Sequence, residues 1–457
     1  MVLWILTAFA RVRLARMRRG DVKVIGITGS IGKTTCKEAV AHVLRGSEAG
    51  ESGGEGRHGS RRVLNSEKSY NTEFGLPLTI LELKSEFSSV VGWVKNLGLA
   101  VWRGMFARTE YDFLILEMGV DKPGDMDQLI GVLRRKSGAG AEAPLDCAVF
   151  TGVHPVHMAD GQFADMNAIA EEKGKIMGVV RGGSEGGVAL INGDDERGRR
   201  LADAVKRRSN APNVIVYGAS EGAKFRVSEV RSGWDGLDFV VTYGEVRGAF
   251  HVPILGKQHI GSLLPAIGCG LMMGMYMSDI VEQMRTFVLP PGRLSYIEGV
   301  NGSRIIDSSY NASPDAVRAA VNTVGELAEE TESQAGAGGK KFSCRKIFVL
   351  GNMNELGAVS EKEHREIGAY IKGKIDVLIT VGDMARLAAG EANGVEVASF
   401  DDALEAAEYL KPKLQKGDIV LVKGSQNKVR LERLVKVIMK DPSQAKRLLA
   451  RQDWADA

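Results

Sequence analysis

A chain of 457 residues is too long for a single hydrophobic core; its 44% hydrophobic and 26% charged residues fit a soluble globular protein of about two or three domains. A formal net charge of +3 names no partner, and nucleic acid is not expected as one. Cys36, Cys147, Cys269 and Cys344 lie far apart with no paired metal-ligand spacing and read as buried thiols in a reducing cytoplasm.

The segment 1–20 begins apolar and continues with Arg11, Arg13, Arg16, Arg18 and Arg19, the reverse of a signal peptide. Its apolar run of about nine residues is too short for a bilayer, which takes roughly 20. Two readings stay open, an amphipathic helix giving peripheral contact with an anionic membrane and a cap packed on the first domain.

Next come the apolar run Val22–Ile25, the loop Gly26-Ile27-Thr28-Gly29-Ser30-Ile31-Gly32-Lys33-Thr34-Thr35, and a stretch with helical apolar spacing at Ala39, Val40, Val43 and Leu44. Strand, glycine loop and helix in that order predict a phosphate loop. Gly29 and Gly32 let backbone N–H groups turn toward a polyphosphate, Lys33 reaches its outer phosphates, and Thr34 or Thr35 holds Mg2+. Ile27 stands where the strict pattern wants glycine, so the match is to a variant.

Residues 46–62 lack apolar content and read as a surface loop, as do 137–144. The polar stretch Ser66 to Pro77 either lines a nucleotide cleft or is an ordinary connection. Tyr111 to Leu116 predicts a buried strand ending at Glu117, where a carboxylate could hold Mg2+ or cap the next helix. The strand Cys147 to Thr151 leads to His154 and His157, and the helical stretch after it carries Lys173, which by pattern alone is a solvated lysine. Residues 225–250 alternate short β-type runs with glycine turns and predict appended antiparallel strands. The Leu289-Pro290-Pro291-Gly292 break is the expected domain boundary, and beyond it strands and helices alternate again, with a glycine-rich insertion at 331–341. The fold expected is α/β: a central doubly wound phosphate-loop ATPase domain over 21–290 with added antiparallel strands, then a Rossmann-like α/β domain over 291–457.

Several motifs in fixed order carry a resemblance spanning about Val24 to Leu434. They are Thr28 to Thr35, Asn71 to Pro77, Glu117-Met118-Gly119, His157 with Lys173-Gly174, Gly292-Arg293, Asp307 to Pro314, Gly351 to Gly357, and Lys423-Gly424-Ser425. In these the chain resembles the Mur ligases, ATP-dependent amide-forming enzymes of cell-wall synthesis, and among them the D-alanyl-D-alanine-adding branch. The resemblance implies transfer of the ATP γ-phosphoryl to a carboxylate of a muramoyl tripeptide and attack on the acyl phosphate by the amine of D-alanyl-D-alanine. It implies that Lys33, Thr34 and Glu117 position ATP and a first Mg2+. Lys173 would be carbamylated and hold a second Mg2+ with His157. Gly29, Ser30, Gly32, Thr35, Asn71 and His259 would complete the nucleotide site, and Arg293, Asp307, Tyr310 and Asn311 would reach ATP and the incoming amine from the far domain. A cytoplasmic monomer is expected.

The chain departs from this pattern. Few residues precede the phosphate loop where the adding enzymes carry a uridine-nucleotide-gripping domain, so the nucleotide is expected to be held otherwise or the acceptor to be another molecule. A lipid-linked muropeptide, a poly-amino acid and folylpolyglutamate are the alternatives, and a non-catalytic ATP-binding scaffold is a further one. Ser308, Gln258-His259, Ser262 and Gln426 also differ from the family's usual residues.

Overall fold

The computed structural model describes residues 2–46, 61–66, 71–85, 89–134, 143–154, 161–183, 186–336, 344–425 and 428–451. Most of the expected loops 46–62 and 137–144 lie outside these residues, as does His157.

Fifteen strands form two sheets among the described residues. In the first sheet they are β1 Lys23–Thr28, β2 Val63–Asn65, β3 Phe113–Glu117, β4 Cys147–Phe150, β5 Val188–Asn192, β6 Asn213–Gly218, β7 Phe225–Gly233, β8 Gly236–Tyr243 and β9 Val246–Val252. Their order is β2-β3-β1-β4-β5-β6-β7-β8-β9, parallel through β7, with β8 and β9 added antiparallel. Strands β1, β3 and β4 are buried on both faces, which is why they read as unbroken apolar runs. Successive residues nevertheless serve opposite faces. Val24, Leu114 and Ala148 join the core under helices Val2–Arg19, Asp125–Leu133 and Met166–Gly174, whereas Ile25, Ile115 and Val149 join the one under Lys33–Arg45 and Ile260–Met272.

The second sheet contains β10 Ser295–Glu298, β11 Arg304–Ser308, β12 Lys346–Gly351, β13 Val377–Val381, β14 Glu396–Phe400 and β15 Ile419–Lys423, ordered β10-β11-β15-β12-β13-β14. Only β10 runs antiparallel, so this sheet too needs crossover helices on both faces. One crossover helix runs from Pro314 to Gly336, taking in the start of the stretch read as an insertion. At the β7–β8 hairpin, Trp234 Nε1 donates to Leu327 O (3.1 Å) and Thr331 Oγ1 (2.8 Å), its backbone N donates to Glu330 Oε2 (2.9 Å), and the Arg304 guanidinium lies 4.5 Å from its ring centroid.

The N-terminal segment is a helix, Val2–Arg19, packed as a cap on the first domain. Leu6, Ala10, Leu14 and Met17 are buried in the first core at helical spacing. Arg13 pairs with Glu82, Arg16 Nη2 donates to Ala107 O (2.8 Å) and Arg11 Nε to Gly131 O (3.2 Å). The apolar face and several arginines of this helix are therefore engaged with the protein itself. A helix not anticipated from the sequence, Val90–Met105, packs alongside it. Cys147 and Cys269, unrelated by spacing, place their Sγ atoms 3.8 Å apart as buried free thiols.

Leu14→Ala is expected to cost about 2–5 kcal/mol, the usual range for emptying a buried leucine site. Urea unfolding would show it as a lowered midpoint at unchanged slope. No shift would mean that the first helix is not part of the core.

Candidate active site

The register pairs Ile27 with Glu117 and Thr28 with Phe150, so β1, β3 and β4 end together at the point where the strand order reverses. Loops at such a switch point form a crevice at the carboxyl ends of the strands. The loop after β1 needs glycine twice: Gly29 has φ +146° and a Cβ there would lie 1.9 Å from Thr151 Oγ1, while Gly32 has φ +83° and would meet Ser262 Oγ at 2.4 Å. Ser30 N donates to Gly152 O (2.9 Å) and Thr151 Oγ1 to Ile31 O (2.7 Å), which ties the loop to the end of β4.

Lys33 folds back on its own loop, its Nζ donating to Gly29 O (2.9 Å) and Ser30 O (3.3 Å). Burial pushes its pKa down, opposed by Glu117. Thr34 Oγ1 donates to Glu117 Oε1 (3.1 Å), leaving Glu117 Oε2 enclosed without a partner; Ser30 Oγ is likewise unpartnered. Asn71 O accepts from Gly119 N (2.9 Å), which fixes the Asn71 segment beside the end of β3.

The opposite wall comes from the second sheet. Arg293 lies with its guanidinium 4.4 Å from the Tyr310 ring centroid and its Nε enclosed and unpartnered. The Tyr310 turn is fixed from behind: Arg451 donates to Ser309 O (2.9 Å) and Tyr310 O (3.3 Å) and pairs with fully buried Glu432 at 2.7 Å. Asn311 is exposed, its Oδ1 accepting from Ala312 N (2.9 Å). His259 Nε2 is enclosed and unpartnered, and burial, with Arg293 and Lys423 nearby, holds the imidazole pKa down at about 3.

These groups face one cavity of about 580 Å³. Of the residues predicted from sequence, Ser30, Gly32, Lys33, Thr34, Thr35, Asn71, Glu117, His259, Arg293, Tyr310 and Asn311 line it. Gly29, Lys173 and Asp307 do not; they lie behind the wall. Lys173, solvated by pattern alone, is fully buried with Nζ unpartnered, and burial and then Lys33 push its pKa well below the ordinary lysine value. Asp307 is fully buried, its Oδ1 accepting from Ser309 N (3.0 Å), and burial raises its pKa to about 6.

Sequence reasoning missed Lys423 as a site residue. Its Nζ donates to Asn311 O (3.0 Å) and Ser308 Oγ (3.1 Å), and burial, then Arg293, lower its pKa to about 7. The available signal was a lysine closing an otherwise apolar parallel strand. It also missed His154 with Asp315, which meet across the cleft at 3.0 Å.

The donor set fits a nucleotide polyphosphate with Mg2+. Among the described residues no group of three or more His, Cys, Asp or Glu could hold a metal alone. Magnesium rarely needs such a group, since it keeps waters and takes one or two carboxylates plus phosphate oxygens. The free Glu117 Oε2 beside the Thr34 hydroxyl suits that role.

Residues 27–270 match the Mur ligase middle domain and residues 292–426 the glutamate ligase domain of Mur ligases. The UDP-N-acetylmuramoyl-tripeptide–D-alanyl-D-alanine ligase of Bacillus subtilis is 28% identical over 442 residues, covering 96% of this chain and 80% of that protein. Its namesake in Mycobacterium leprae is 28% identical over 460 residues, covering 96% and 78%. In fold the chain is similar to MurF from Acinetobacter baumannii, with TM-score 0.72 at 21% identity over 95% of this chain and 81% of that one. It is also similar to MurF ligase from Thermotoga maritima in complex with ADP, with TM-score 0.68 at 23% identity over 97% and 84%.

Gly32→Ala is expected to weaken ATP binding by roughly tenfold or more, because a side chain there displaces either the loop or Ser262; titration calorimetry reads the change, and equal affinity would place ATP elsewhere. Asp307 supplies a pH test. Its folded pKa of about 6 lies above the ordinary 3.8, so its contribution to stability is full below about pH 3.8 and is lost as pH rises through about 6. Asp307→Asn should therefore raise the unfolding free energy near neutral pH, by up to roughly 3 kcal/mol, and lose that advantage in acid. A gain that is the same at both pH values would count against a buried, ionising Asp307.

Proposed function

The chain belongs to the Mur ligase family, and we propose that it joins D-alanyl-D-alanine to a muramoyl tripeptide at the expense of ATP. The observation that carries this reading is the convergence of the phosphate loop, Glu117, His259, Arg293, Tyr310 and Asn311 on one cavity, in a chain similar over 96% of its length to a ligase of that name.

The chemical problem is to bring a carboxylate up to a polyphosphate, so cations must crowd the site. Lys33 exchanges its loop carbonyls for the outer phosphates. Arg293 presents its enclosed Nε–H from the opposite wall, held in place by the Tyr310 ring. Thr34 and Glu117 would hold Mg2+, which when bound screens the phosphates while the γ-phosphoryl passes to the acceptor carboxylate. The amine of D-alanyl-D-alanine then attacks the acyl carbon, forming the amide C–N bond as the C–O bond to phosphate breaks. Inorganic phosphate leaves and the amine's proton passes to solvent, while Asn311 and Tyr310 at the mouth of the site orient the amine.

Lys173 is proposed to be carbamylated and, with His157, to hold a second Mg2+. Carbamylation needs a neutral amine, and a buried lysine whose pKa is pushed down supplies one. In this proposal residues 21–290 bind ATP and residues 291–457 close over it. Both walls of the site come from a single chain, so a monomer suffices. Action in the cytoplasm and peripheral contact with a membrane near the N-terminal helix belong to the same reading. No helix among the described residues is long and apolar enough to cross a membrane.

The test is ADP release with ATP and Mg2+, adding UDP-muramoyl tripeptide and D-alanyl-D-alanine singly and together. Turnover is expected only with both, and Lys173→Ala should lower it by roughly 100-fold or more, the scale of losing one electrostatic stabiliser. ATP binding without turnover would overturn the acceptor assignment and direct the assay to lipid-linked acceptors.

A further inference from the structure

The helix Val90–Met105 and its exit present an apolar stripe to solvent. Val91, Val94, Val101, Trp102, Met105 and Phe106 are all exposed, Val91 at 81%, Trp102 at 58% and Phe106 at 65%. The helical positions recur at three- and four-residue spacing, so they share the side turned away from the core. Gly98, on the same side, has nothing within reach of a Cβ. On the neighbouring helix Val2–Arg19, Trp4 is 71% exposed. The two helices pack closely, a Cβ at Gly104 falling 2.9 Å from Phe9 Cβ, and Arg16 Nη1 donates to Gly104 O (3.1 Å). An apolar face of this kind marks a surface that meets another phase or molecule.

Charge says which. Residues 2–20 and 89–109 contain no Asp or Glu, but they do contain Arg11, Arg13, Arg16, Arg18, Arg19, Lys95, Arg103 and Arg108. Just beyond the end of the stripe is a pocket of about 400 Å³ lined by Arg13, Arg62, Arg103, Arg108 and Tyr111, with Glu82 and Glu110 as its acidic members. In it Arg13 pairs with Glu82, and Arg62 and Arg108 pair with Glu110, so four arginines stand against two carboxylates and this end is net positive. Exposed tryptophans beside apolar side chains, on segments without carboxylates and bordered by arginines in excess of glutamates, are the composition of an element lying in the plane of an anionic bilayer.

We propose that this face docks on an anionic phospholipid surface, with Val94, Trp102 and Phe106 entering the headgroup boundary and lipid phosphates pairing with the arginines at its end. The proposal rests on the peripheral contact already inferred and names its surface and lipid class. The surface lies on the second helix, because the first has its apolar side in the core. It also borders the cleft: Phe74, three residues from Asn71, packs edge-on against Trp93 of this helix with ring centroids 6.3 Å apart. Docking would thus present the ligand cavity toward molecules held at the membrane.

The experiment is sedimentation of the full chain with phosphatidylglycerol vesicles and, separately, with phosphatidylcholine vesicles, in the absence of ATP and acceptor. Binding to phosphatidylglycerol is expected to be at least roughly tenfold stronger than to phosphatidylcholine, to weaken with salt, and to shift tryptophan emission to the blue. Val94→Glu combined with Trp102→Glu, both at exposed positions, should reduce it by roughly tenfold or more while ATP affinity and the unfolding midpoint stay unchanged. Arg108→Glu should reduce it and flatten the salt dependence. If the wild-type chain remains in the supernatant with both lipids, peripheral contact itself is wrong. If it binds and the double variant binds equally well, the membrane contact stands and this face is not its surface. A wild-type dimer that the double variant converts to monomer, without vesicle binding, would make the face an interface between copies and overturn the lipid assignment.

Discussion

Desolvated positive charge is the constraint on which the rest of the structure depends. Lys33, Lys173 and Lys423 are all drawn below the ordinary lysine pKa by burial, and Arg293 lies close enough to lower Lys423 further. Burying cations is costly unless they are paired, yet Lys173 Nζ and Arg293 Nε have no hydrogen-bond partner. An interior that tolerates this must be held by something else, and two sheets buried on both faces provide it. The site is assembled at their strand ends.

The same logic explains the supports around the cleft. The Tyr310 turn must hold an aromatic ring against Arg293 without collapsing into the cavity. Arg451, reaching from near the end of the described chain, grips its carbonyls from behind and is neutralised by buried Glu432. On the first sheet, Thr151 and Ser262 press so closely on Gly29 and Gly32 that the loop has little freedom to relax. Each wall is therefore held in place by its own neighbours, Arg451 behind one and Thr151 and Ser262 beside the other.

How much of this could be read from the chain follows from what burial does to sequence. Strands β1, β3 and β4 were legible because both faces are covered, leaving uninterrupted apolar runs that end in glycine or glutamate. The helix Val90–Met105 was not, since apolar residues occur all round it and one side faces solvent, leaving no single stripe to mark its core side. The burial of Lys173 was equally hidden, because a charged residue in a helical pattern is ordinarily solvated and only the folded core reverses that. For Cys147 and Cys269, separation along the chain concealed adjacency across the layer between β4 and the helix Ile260–Met272. The phosphate loop and Glu117 were legible because local order and strand ends encode them; Lys423 needed the second sheet to carry it to the cavity.

The hairpin that carries Trp234 gives the molecule a mechanical asymmetry. At that end the first sheet is joined to the helix Pro314–Gly336 by three hydrogen bonds and a ring stacked near Arg304. Nearer the cavity the same two bodies meet through half-exposed polar contacts, the hydrogen bond of His154 with Asp315 and the ion pair of Lys257 with Glu326, which add little stability. The tryptophan hairpin is thus the firmer of the two attachments, and the cavity lies on the side held by the more exposed contacts.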